Sequence, residues 1–266
     1  MGHIKSIDDF EIITKPKENI VVIPSAIKGN FAEFILEDKY KPFVKKEFKD
    51  HPLLSRIQIN PINKYLTGLT MYSSIALEMV LNDLGYRSMK FGDIQDLIDN
   101  KAFSFNESCY DLGVRFAGAG SVKAKTSKNL EKQLISLGFD VEKIRYNDSY
   151  LKNDSADKIK TPIWIPKSEL TLDLDGGYSK GIGIKLKENA KPEYMKSLDY
   201  SNHLRSISGF SKEAGPLFDP TRKPIQFCAS ENGTSRILLK GSSQLIASTG
   251  DFSIGYPNGK VIMFEK

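Results

Sequence analysis

The chain has 266 residues, of which 40% are hydrophobic and 27% charged, and its net charge is +5. That is enough apolar material for one substantial core, or for one main domain with a small appendage, and it excludes wholesale disorder. The positive excess is dispersed, with Lys45 and Lys46 forming only a short pair, so neither a nucleic-acid-binding tail nor a basic membrane-binding run is indicated.

Residues 1–65 read as a mixed, wrapping N-terminal extension to a domain over 66–266. Residues 19–24 (NIVVIP) predict a short β-branched strand stopped by proline. Over residues 29–48, Phe31, Phe34, Ile35 and Tyr40 suit a short helix that ends near Pro42. The clearest helix covers 73–85. Leu77, Val80, Leu81 and Leu84 fall at i, i+3, i+4 and i+7, Ser73 or Ser74 can cap its start, and Gly85 suits the position after its end. Ile75, Ala76 and Met79 fill more of its circumference, which predicts a central helix buried on most sides.

A shorter helix follows over 91–99, with Asp93 near its start. Glycines 113, 118 and 120 exclude a long helix after Cys109. A capped helix is predicted over 126–139, with Leu130, Leu134 and Leu137 on one face and Gly138 at its end. Residues 140–146 and 161–166 read as strands. From Asp199 onward the pattern is β: 203–210 alternates, 238–249 and 260–266 are strand-like, and Asn258-Gly259 signals a hairpin turn. Helices in the first half and strands in the second make an α+β chain, not a series of βαβ units.

Several of these pieces occur in the order found in a known family. Met79-Val80-Leu81-Asn82 lies in the central helix, followed by Leu137-Gly138-Phe139, Pro162-Ile163-Trp164-Ile165, His203, Gly209-Phe210 and Asp219-Pro220. Over residues 66–222 this set resembles the papain-like cysteine enzymes, in particular the double-glycine leader peptidases of bacteriocin transporters and the phytochelatin synthases. The resemblance implies a papain-like fold, with a central buried helix packed on an antiparallel sheet. It also implies thiol-hydrolase chemistry on a peptide or amide bond, with His203 as base and Asp219, sixteen residues on, as its orienting carboxylate. Such a nucleophile sits at a helix N-terminus, where the helix dipole stabilises its anion and an imidazole takes its proton.

The chain departs from the family at that nucleophile. Counting back from Met79 puts Tyr72 where the family has cysteine, and a phenol with a pKa near 10 is a poor acyl-transfer nucleophile. Ser73, one residue on, could be a serine nucleophile or a helix cap. Cys109 is a second candidate, or a buried structural thiol; Cys228 reads as core in a strand. His3 and His51 have no supporting context.

Two further readings stand beside the enzyme. The protein could be a catalytically inactive relative that binds a peptide or protein partner, or a viral or phage structural protein whose β-rich tail pairs with neighbouring chains. No cofactor is expected. Residues 113–120 lack the Gly-Lys-Ser/Thr ending of a phosphate loop, residues 173–177 lack the ligands of a calcium loop, and two cysteines cannot build a usual zinc site. Residues 232–235 (NGTS) match a glycosylation acceptor but read as a hairpin turn. The low cysteine count and the absence of an apolar leader lead us to expect a cytoplasmic protein, or one translocated without a cleavable signal. No apolar run approaches the roughly 20 residues of a membrane span, so nucleic acid and membrane are not expected partners. The oligomeric state stays open.

Overall fold

The first serine of the central helix is not its cap. α3 (Met71–Asp83) begins two residues earlier than the spacing predicts, because Thr70 takes the N-cap position in extended conformation. The Ser73 backbone N–H donates to Thr70 Oγ1 at 3.0 Å, and the Thr70 N–H donates to Ser73 Oγ at 2.8 Å. This reciprocal capping box has Ser at the position where Glu or Gln is usual. Leu84 closes the helix, and Gly85 follows at φ +84 as expected. α3 is buried on nearly every side, its polar Ser73, Ser74 and Glu78 included.

The computed structural model describes residues 25–99, 109–116, 128–142, 144, 162–174, 181–194, 206–207, 209–211, 215–217, 225–229, 234–240, 244–248, 252, 255 and 261–265. The strand read at 19–24, the turn at Asn258-Gly259 and glycines 118 and 120 lie outside them.

Upstream of α3 the chain forms β1 (Ser25–Ala26), α1 (Gly29–Glu33), a seven-residue π-helix (Phe34–Tyr40) and α2 (Lys41–Phe48). The helix predicted to end near Pro42 therefore runs past it. Proline in a helix interior clashes with the carbonyl four residues back, but Pro42 falls in the first turn of α2, directly after the π-helix, and the first turn tolerates proline. α2 ends at Lys49 and Asp50, both left-handed with φ of 50 and 54. β2 (Gln58–Ile59) and β3 (Leu66–Thr67) pair before α3.

After α3 come β4 (Tyr86–Ser88) and α4 (Phe91–Asp99). Asp93 anchors the start of α4 by accepting from the Lys90 N–H at 2.7 Å and from both ends of the Arg87 guanidinium at 2.6 and 2.9 Å. β5 (Cys109–Phe116) is a strand of eight residues, and α5 (Lys128–Ser136) buries Leu130 and Leu134. Leu137 is 53% exposed, contrary to its predicted place on the apolar face, because it falls beyond the last helical turn. Gly138 ends the segment at φ +87. Where a strand was predicted over 140–146, Val141–Glu142 form a turn.

The remainder is β. β6 (Ile163–Pro166) leads through a 3-10 turn (Lys167–Glu169) into β7 (Leu170–Asp173), which pairs with β8 (Gly183–Leu186). Then follow β9 (Glu193–Tyr194), β10 (Ser206–Ile207), β11 (Gly209–Ser211), β12 (Gly215–Leu217), β13 (Ile225–Ala229), β14 (Thr234–Lys240), β15 (Gln244–Ser248) and β16 (Ile262–Glu265). Thr234 and Ser235, read as part of a turn, open β14.

The main sheet has the order β10-β13-β15-β14-β5-β6-β9. Every pairing in it is antiparallel except β13 with β15, which is parallel. Gly113 of β5 is required where β6 comes closest, since a Cβ there would stand 2.2 Å from the Ile165 carbonyl oxygen. A second sheet, β1-β16-β4, joins the two ends of the described chain. One hydrophobic core runs from Ile27 to Met263, so the upstream helices and the later strands share it. The architecture is α+β. α3 touches β4, the 3-10 turn and β7 most heavily.

Candidate functional site

The amino end of α3 is where the sequence places chemistry, and polar groups gather there from five parts of the chain. On one side stand Thr70, Ser73 and Tyr40. Ser73 Oγ accepts the Thr70 N–H and donates to the Thr70 carbonyl at 3.2 Å, while Thr70 Oγ1 donates to the Leu53 carbonyl at 3.0 Å. Tyr40 donates to the Leu54 carbonyl at 2.9 Å. Burial pushes its phenol far above the ordinary value, and a contact with Ser73 only partly offsets this. The Ser73 hydroxyl is thus held in the cap, with no exposed surface.

Tyr72 points into the core, its ring 6.2 Å from that of Phe252. Burial pushes its phenol up to about 12. It is a packing residue, protonated at neutral pH.

On the other side lies a buried ion network. Lys167, on the 3-10 turn after β6, donates from Nζ to Ser74 Oγ at 3.1 Å. Burial holds this ammonium below its ordinary pKa; Glu78 and Asp111 pull it back up, and Arg236 pushes it further down. Glu78 lies one turn along α3 from Ser74 and accepts the Ser88 N–H at 3.0 Å. Asp111 of β5 receives Nε and a terminal nitrogen of Arg236 of β14, both at 2.5 Å. The same Arg236 also donates to the Leu69 carbonyl at 2.9 Å, immediately before the cap. Two strands are thereby tied to the start of α3 by one guanidinium in a bidentate fork.

A serine hydroxyl beside a lysine of lowered pKa, in the first turns of a helix, has the parts of a serine–lysine dyad. Its surroundings give it another role. Ser74 and Lys167 are 1% and 4% exposed, and the Lys167 ammonium feels the field of Glu78 and Asp111. Arg236 is paired with Asp111 and Lys167 is hydrogen-bonded to Ser74, as buried charges require, and these contacts link α3 with β5, β14 and the 3-10 turn.

Cys109 opens β5 and is half-buried. It lies two residues from Asp111, hence on the same face of the strand and roughly 7 Å along it. Cys228 lies in β13. Its register runs through Ile246 and Leu238 to Asp111, placing it three strands away from that aspartate, roughly 14 Å across the sheet. His203 and Asp219 lie outside the described residues. Among the described residues, no group of three or more His, Cys, Asp or Glu could hold a metal ion, and no helix is long and apolar enough to cross a membrane.

Glu78, Asp111, Lys167 and Arg236 are absent from the residues proposed on sequence grounds. One signal for them is present. Glu78 falls in a helix predicted to be buried on most sides, and an acid there requires a partner. The partner's identity depends on bringing residues 78 and 167 together, which no local pattern encodes.

No family model, no curated protein and no solved structure matches this chain.

Proposed function

We propose that this α+β chain is a papain-like protein that has kept the central helix and lost its nucleophile, and that it binds a peptide or protein partner without cleaving it. One observation carries the reading. At the amino end of α3, where the family places a thiol, Tyr72 is packed in the core, Ser73 is engaged in the capping box and Ser74 is held by Lys167. Each of the three side chains is engaged in packing, in the cap or in the buried network, and all three are buried. The order of elements, with helices before strands around a buried helix, supports the papain-like assignment.

The thiol-hydrolase reading keeps one specific support. Cys109 is a partly exposed thiol on the strand face of Asp111, which takes the Arg236 guanidinium, and a reactive thiol needs such access. His203 would then be its base and Asp219 the orienting carboxylate. Alkylation separates the two readings. With iodoacetamide at neutral pH, a binding protein labels slowly at both cysteines, and His203→Ala changes neither rate. Fast labelling of Cys109 that disappears in His203→Ala would overturn the binding reading and establish the thiol enzyme.

A further inference from the structure

A groove runs beside α2, and Tyr40, which also stands by the cap of α3, lines it. Tyr40, Val44 and Ile57 give it an apolar floor, Lys41 and Lys45 border it from the helix, and Asp50 borders it from the turn beyond. It encloses about 560 Å³, within the roughly 300–1,000 Å³ typical of ligand sites. Two uncommon backbone features meet at it. The π-helix ends at Tyr40, and Lys49 and Asp50 are consecutive left-handed residues. Both kinds of feature concentrate at functional positions.

The charges around the groove define what it complements. The Lys41 ammonium is taken by both oxygens of Glu37, at 2.6 and 2.7 Å. Lys45 and Asp50 are exposed, and neither forms a side-chain ion pair among the described residues. An apolar floor bordered by one uncommitted ammonium and one uncommitted carboxylate fits a ligand with an apolar body, a carboxylate and an ammonium of its own.

We infer that this groove binds a short apolar peptide with both termini charged, its carboxylate against Lys45 and its ammonium against Asp50. A length of about two or three residues suits the space, since an extended chain spans roughly 3.3–3.6 Å per residue. The inference rests on the reading of the chain as a peptide-binding protein, and adds a place and a ligand chemistry to it.

Titration calorimetry with trileucine, its C-terminal amide and its N-acetyl form tests this on the full chain. The wild type binds trileucine about threefold to fivefold more tightly than either blocked peptide, the worth of one exposed ion pair. Lys45→Gln weakens trileucine by the same factor and leaves the amide unchanged. Asp50→Asn weakens trileucine and leaves the acetylated peptide unchanged. Both positions are exposed, and Asn tolerates the left-handed backbone at 50, so the fold is retained in each variant. Equal affinity for the three peptides, no binding, or trileucine binding indifferent to both substitutions overturns the groove assignment. The last outcome leaves the peptide-binding reading standing, whereas fast His203-dependent alkylation of Cys109 removes that reading whatever the groove binds.

Discussion

The amino end of α3 and the groove beside α2 contain the same kinds of side chain, lysines, serines and acids, but place them in opposite surroundings. At the amino end of α3 the cations are buried and hydrogen-bonded: Arg236 to Asp111 and a carbonyl, Lys167 to Ser74. Beside α2, Lys45 and Asp50 face solvent over an apolar floor. Removing a partner from the first set strands a charge in low dielectric, whereas removing one from the second exposes nothing that water cannot solvate. The comparison therefore predicts a stability-bearing region and a recognition-bearing one, and substitutions can break or sharpen that division.

The largest effect is expected at Arg236. Arg236→Ala leaves Asp111 with an uncompensated charge and the Leu69 carbonyl without its donor, at a cost of about 3–5 kcal/mol in urea denaturation. A loss under about 1 kcal/mol would mean that the network is hydrated and does not hold the fold. Thr70→Ala removes the cap of α3 and should cost about 1 kcal/mol, toward 2 because the site is buried; thermal unfolding reads it. An unchanged midpoint would show that α3 does not depend on the box.

Lys167 provides a pH test of the same region. Its folded pKa is held below the ordinary lysine value, so between those two values the unfolded chain binds the extra proton. Stability rises with pH across that interval and falls as pH drops through the folded pKa. Unfolding measured below about pH 10, before tyrosines of the unfolded chain ionise, should show this rise in the wild type and lose it in Lys167→Met. A rise that persists in the variant would assign it to another group. The smallest effect belongs to the groove. Lys41→Ala removes an exposed i, i+4 pair with Glu37 and should cost no more than about 0.5 kcal/mol. A larger loss there would contradict the view of α2 as a solvated recognition surface.

What the sequence revealed divides along similar lines. α3 was legible because Leu77, Val80, Leu81 and Leu84 repeat at helical spacing, and Gly85 and Gly138 because a left-handed end is a local requirement. The start of α3 was misplaced because two apolar residues, Met71 and Tyr72, separate the true cap from the serine that completes the box. Pro42 was read as a stop because the change from π- to α-helix that puts it in the first turn of α2 has no sequence signature. The site was the least legible part. Arg236 reaches Asp111 across 125 residues and Lys167 reaches Ser74 across 93, and only the register of β5 with β14 and the path of β6 bring these groups together. The bulge between Ile237 and Leu238 in that register shifts which β5 residue stands opposite each β14 residue, a detail no periodicity encodes.

The sheet β1-β16-β4 sets an order of events for a chain made from its amino end. Its middle strand pairs Met263 with Ser25 on one edge and with Ser88 on the other, so both outer strands leave the ribosome long before the strand that joins them. The helices of the first half make local contacts and can form early, but closing a loop of this span comes late and slowly. Until β16 emerges, β1 and β4 present unpaired edges to their surroundings. A nascent chain halted short of residue 262 is the form of this protein most exposed to wrong strand partners.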